Sequence, residues 1–99
     1  MITVSPSYAG EHLAAFVIKN HGKSHVCAAV SILVLNTINS IEALTDAKFS
    51  YEYKKNGGFV SCTLAEPTHH DASLLLKAMM LGLNSVREVH PDEILIESE

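Results

Sequence analysis

Ninety-nine residues suffice for one domain, residues 1–99, with a modest core, and 47% apolar against 18% charged residues exclude a disordered tail. A formal charge of −4 with only seven Lys and Arg excludes the clustered cations that direct nucleic-acid binding requires, while a basic polypeptide remains a compatible partner. Met1-Ile2-Thr3-Val4 lacks the basic-then-apolar pattern of a signal peptide, and the apolar run at Ile32 to Leu35 is too short for a bilayer, so no membrane partner, a cytoplasmic location and reduced Cys27 and Cys62 thiols are expected.

Ile2 and Val4 alternate with Thr3 and Ser5 as a short strand, which Pro6 and Tyr8 to Glu11 are expected to end in a turn. Leu13 to Lys19 reads as a second strand, and Asn20 to Ser24, with Gly22, as a loop whose last residue, Ser24, is expected to cap a helix. From Val26 to Leu44 the period is helical, with Val26, Val30, Leu33 and Leu44 near one face and Val34, Ile38 and Ile41 near another. Many of these residues are β-branched, so tertiary burial rather than propensity must hold this helix.

Phe49, Tyr51 and Tyr53 alternate with polar residues, and Asn56-Gly57-Gly58 supplies positive φ for a tight turn into a return strand through Val60, Cys62 and Leu64. Pro67-Thr68 interrupts the chain; Thr68 or Asp71 is expected to cap a second helix over Ala72 to Val89, which His90-Pro91 ends. Its apolar residues spread over several faces, and Gly82 inside it suggests close packing. Ile94 and Ile96 form a last strand. The order β-β-α-β-β-α-β predicts an α+β fold, a mostly antiparallel sheet with two helices packed on one face. Surplus apolar helix surface predicts a homodimer.

One stretch carries chemistry. His21 to Ser31 reads His-Gly-Lys-Ser-His-Val-Cys-Ala-Ala-Val-Ser and spans a strand-to-helix junction. A thiol is a weak nucleophile until it loses its proton. Free N–H groups on a helix's first turn and a nearby imidazole both favour that loss. The imidazole can then protonate a leaving amine, and the free N–H groups can face an oxyanion. Cys27 as nucleophile and His21 as base would thus suit acyl transfer at a peptide bond. Spacing leaves a second reading open, in which Cys27 is a small core residue at a helix start.

Val26-Cys27-Ala28-Ala29-Val30-Ser31, after a strand end, a His and a Gly-containing loop, closely resembles the signature of the ribosomal-processing cysteine proteases known as Prp. The resemblance covers nearly the whole chain. It implies a homodimeric cytoplasmic endopeptidase that removes a short N-terminal extension from a protein of the bacterial large ribosomal subunit. It implies Cys27 as nucleophile and His21 as base, with Ser31 one turn later lining the site or bonding back to its own helix. Gly22 and Ser24 fall in the loop that would meet substrate, a short lid hinged at Gly22. No cofactor is implied. The chain departs from the family pattern with Asn20-His21-Gly22 for Gly-His-Ala, with a shorter loop, and with Ser24 where an acidic residue often stands; the group that orients His21 is left unassigned.

Two other readings follow from the same residues: a non-catalytic ribosome-associated binding module, and a thiol-based redox or metal-binding protein with His21, His25 and Cys27 as ligands and His69, His70 or Cys62 completing the shell. No paired metal-binding motif supports the metal reading. His12, His69, His70 and His90 otherwise read as loop residues, Cys62 as core, and Met79 and Met80 as packing residues. Tyr51 and Tyr53 read as a cross-strand packing device that a peptide groove could also use.

Overall fold

The computed structural model describes residues 1–54 and 58–97. In chain order the elements are β1 (Ile2–Ala9), β2 (His12–Lys19), α1 (Ser24–Leu44), β3 (Phe49–Lys54), β4 (Phe59–Leu64), α2 (His70–Val89) and β5 (Ile94–Ile96). The strands form one sheet in the order β3-β4-β2-β1-β5. Every neighbouring pair is antiparallel except β1 with β5. Both helices cover one face, as the element order predicts.

Alternation sets that face. Ile2 and Val4, then Phe16 and Ile18, then Val60, Cys62 and Leu64 point inward and are buried. Thr3, Ser5, Ser61 and Thr63 point to the other side. The inward residues join Val26, Val30, Val34, Ile38 and Ile41 of α1 and Leu76, Met79, Met80 and Leu83 of α2 in one apolar cluster. The α1 members recur at helical spacing, so they form one stripe rather than two. Leu44, expected on a buried face, is exposed, as are Leu74, Leu81 and Val89 on α2. A methyl on Gly82 would come within 2.7 Å of Leu33 Cδ2, so the glycine lets the helices approach closely.

Three local expectations are corrected. β1 does not turn at Pro6 but runs on to Ala9, with Pro6 opposite Phe16. β5 pairs only with Ile2 to Val4, so beyond that point β1 is an edge where proline is tolerated. The register of β1 with β2 shifts between Ser7 and Tyr8, leaving Ala14 as a bulge. This lets Leu13 and Phe16, three apart, both face the core. The helix caps also differ. Lys23, not Ser24, is the cap of α1 and lends no side-chain bond. His69, not Thr68 or Asp71, caps α2, its Nδ1 accepting from the Ala72 N–H. The Asn56-Gly57 part of the expected turn lies outside the described residues; Gly58 has the positive φ expected of it, +56°.

By length and composition α1 could cross a bilayer, an apolar stretch longer than the run at Ile32 to Leu35 suggests. Its buried stripe is instead engaged with sheet and α2, and Asn36 and Asn39 lie on its exposed side.

Candidate active site

β2 ends at Lys19, and Asn20 turns the chain with φ +74°. The Asn20 N–H donates to Gly58 O at 2.7 Å, tying the exit from β2 to the start of β4. His21 follows and lies against Gly58: a Cβ built there would sit 2.7 Å from His21 Nε2. Gly22 is wedged between Ile2 and Glu93, with a built Cβ 3.2 Å from Ile2 Cδ1 and 3.3 Å from Glu93 Oε1. Lys23 then caps α1, its carbonyl accepting the N–H groups of both Val26 and Cys27 at 2.9 Å.

His21 and Cys27 line the same open cavity, about 180 Å³ in volume. Its floor is apolar, from Ile18, Val30, Val34 and Val60, and its rim carries Ser31 and, from the β3–β4 pair, Tyr53, Lys54 and Phe59. The Lys54 ammonium stands 5.5 Å from the centre of the Phe59 ring. Within this cavity the Cys27 thiol is bracketed by Gly22, whose N–H points at Sγ from 3.2 Å and whose carbonyl accepts the S–H at 3.4 Å. The thiol is therefore hydrogen-bonded to the loop backbone and not to the imidazole of His21.

Of the residues singled out in the sequence, Cys27, His21 and Ser31 meet at the cavity. Gly22 contributes through its backbone. Ser24 is exposed as the first residue of α1 and does not line it. His25 turns away to His90, ring centroids 5.0 Å apart. His69 binds Asp46, and Cys62 is 1% exposed, its thiol pushed up to about 11 by burial. Among the described residues no three His, Cys, Asp or Glu side chains gather closely enough to share a metal ion.

The free first-turn N–H groups expected to face an oxyanion are those of Ser24 and His25. The Cys27 N–H is engaged by Lys23 O, whereas the Ser24 and His25 N–H groups have no acceptor among the described residues. Three contributors were not anticipated: Lys54, Phe59 and Glu93. The Phe59 signal was its place beside the glycine turn. Glu93 had no local signal.

A thiol on the first turn of a helix, sharing an apolar cleft with an imidazole carried by the preceding loop, is the arrangement of a cysteine hydrolase. The model of the family "Cysteine protease Prp" matches residues 1–95, and the chain belongs to that family. The ribosomal processing cysteine protease Prp of Staphylococcus aureus (strain Mu50 / ATCC 700699) is 27% identical over 74 residues, which cover 75% of this chain and 70% of that protein. The crystal structure of the S. aureus protease with a covalently linked product peptide superposes with a TM-score of 0.93 at 25% identity, over the full length of both chains. SMU.848 of Streptococcus mutans shares the fold, with a TM-score of 0.85 at 24% identity over 98% of this chain and 96% of that one. The chain is a cysteine protease on the Prp fold.

Proposed function

We propose that this cysteine endopeptidase removes the N-terminal extension of a bacterial large-subunit ribosomal protein, with Cys27 as nucleophile and His21 as base. The observation that carries the reading is the placement of both side chains on one open cavity at the β2–α1 junction. The related S. aureus enzyme is a ribosomal processing protease, which supports the same class of substrate here.

In this reading an extended peptide lies along the cavity beside Tyr53 and Phe59, an apolar side chain entering toward Val30 and Val60. His21 takes the Cys27 proton, and the thiolate attacks the scissile carbonyl carbon. The tetrahedral oxyanion collapses, His21 donates its proton to the departing amine, and a thioester to Cys27 remains. Water attacks that thioester with His21 again as base, which releases the extension and restores the thiol. The Cys27 S–H donates to the Gly22 carbonyl, so substrate must draw the thiol toward the ring before the first step.

The enzyme is proposed to act in the cytoplasm, as a homodimer. Exposed Ile32 on α1 and Tyr51 on β3, both outside the cavity, supply apolar surface for a second copy. The test is incubation with a peptide spanning the precursor's junction. One specific cut, absent in Cys27→Ala and reduced at least about 100-fold in His21→Ala, is expected. Binding without cleavage by the unaltered protein would replace the enzyme with a non-catalytic binding module.

A further inference from the structure

The peptide unit that joins Gly22 to Lys23 has two ends in use. Its carbonyl, on Gly22, accepts the Cys27 thiol. Its N–H, on Lys23, donates to Glu93 Oε1 at 2.8 Å. One carboxylate, 70 residues further along the chain, therefore fixes the plane of the peptide that faces the sulfur.

Glu93 is itself firmly seated. Its carbonyl accepts the Ile2 N–H at 2.9 Å at the start of β1, and its N–H donates to His90 O at 3.0 Å at the end of α2. The loop it holds would otherwise be loose. Gly22 has no side chain to restrict it, and Lys23 gives α1 no side-chain cap. Glu93 instead holds the N–H of the cap residue itself, and its negative charge suits the positive end of the helix dipole.

The consequence reaches Cys27 by two routes. Lys23 O accepts the Cys27 N–H, which sets the nucleophile's backbone, and the Gly22 N–H points at Sγ, which sets the sulfur. The same loop conformation therefore places both the backbone and the sulfur of the nucleophile. Rotation of the Gly22–Lys23 peptide would take the Gly22 carbonyl off the thiol and disturb the two flanking peptide units that carry these contacts.

We propose that Glu93 is a positioning residue for the protease reaction, acting through the Lys23 amide to hold the Gly22–Cys27 arrangement. The proposal rests on Cys27 being the nucleophile. Two variants separate its hydrogen-bonding role from its charge. Glu93→Gln and Glu93→Ala are both uncharged, but only glutamine keeps an acceptor at this reach. The backbone bonds of Glu93 survive in both, and a thermal melt verifies that each is folded.

Two readouts are taken on a Cys62→Ser background: kcat and KM for the junction peptide, and the rate of Cys27 alkylation by iodoacetamide. Glu93→Ala is expected to fall below Glu93→Gln by roughly fivefold or more in kcat and in alkylation rate, with KM changed less than about twofold. Equal rates in the two variants would overturn the proposal, and so would a loss confined to KM. Alkylation needs no peptide. If the parent protein cuts nothing, the substrate assignment fails, while the alkylation comparison still decides the role of Glu93.

Discussion

The imidazole of His21 occupies the space that a side chain on Gly58 would fill, with only 2.7 Å between Nε2 and the nearest position of such a Cβ. The absence of a side chain at the start of β4 is therefore what seats the proposed base. Gly58 also has φ +56°, where an alanine costs about 1–2 kcal/mol. Gly58→Ala is expected to push the ring from the cavity and lower kcat/KM by roughly tenfold or more, a larger effect than the modest fall in melting temperature suggests. Steady-state kinetics beside a thermal melt check it. Unchanged kinetics would mean that the ring's seat on Gly58 does not matter for turnover.

Ser73, 1% exposed on α2, accepts the Leu13 N–H at 2.8 Å. That amide lies beside the Ala14 bulge, where the ladder between β1 and β2 is interrupted. Ser73→Ala leaves a buried donor unpaired, and the expected loss is about 1–3 kcal/mol. Each kcal/mol corresponds to roughly 4–8 °C in melting temperature for a domain of this size. Calorimetry of the variant gives the answer; a shift under about 2 °C would mean that water or a rearranged strand satisfies the amide.

Much of this frame can be read along the chain. Alternation at Phe49 to Lys54 and at Val60 to Leu64 marks β3 and β4, and in β4 the buried face as well, whereas Tyr51 and Tyr53 of the edge strand β3 are exposed rather than packed; the helical period at Val26 to Ile41 marks α1. The junction bearing His21 and Cys27 is legible for the same reason, since both residues lie within one local stretch. What stays hidden depends on partners distant in sequence. Pro6 reads as a break because nothing nearby reveals that β5 is too short to need its N–H. Leu13 and Phe16 have the wrong spacing for one face until a bulge is admitted. Ser24 has the side chain of a cap, yet Lys23 takes the cap position, its amide held by Glu93 from the turn before β5.

His69 joins the start of α2 to the loop after α1. Its Nε2 lies 2.8 Å from Asp46 Oδ1, while its Nδ1 accepts from the Ala72 N–H at 3.2 Å. The hydrogen bond with Asp46 raises the His69 pKa above 6.5, and the same bond holds the Asp46 carboxyl below 3.8. The raised imidazole contributes stability in full below about pH 6.5 and loses it as pH climbs through its folded value. The lowered carboxylate contributes above about pH 3.8 and loses it as pH falls through its own folded value. A proton on Nδ1 also displaces the Ala72 N–H, which opposes part of the gain. Asp46→Asn is therefore expected to lower the melting temperature most between about pH 4 and 6.5 and less at about pH 8, with added salt narrowing the difference because Asp46 is exposed. A penalty independent of pH would contradict the charged pair.

The two cysteines differ in access and in chemistry. Cys62 is buried with its thiol pushed up to about 11, whereas Cys27 opens on the cavity. At about pH 8, iodoacetamide is expected to modify Cys27 and to leave Cys62 untouched until denaturant is added. Peptide mapping by mass spectrometry distinguishes them. Equal modification of both in the folded protein would mean that the core opens on the labelling timescale.

The most direct measurement is capture of the thioester. The protein is mixed with the junction peptide, quenched in acid within the first turnover, and weighed intact. The expected result is a population heavier by the mass of the released extension less one water, with the added group mapping to Cys27 and absent in Cys27→Ala. Cleavage that proceeds at an unchanged rate in Cys27→Ala, or a bound group that maps elsewhere, would contradict the assignment of Cys27 as the nucleophile.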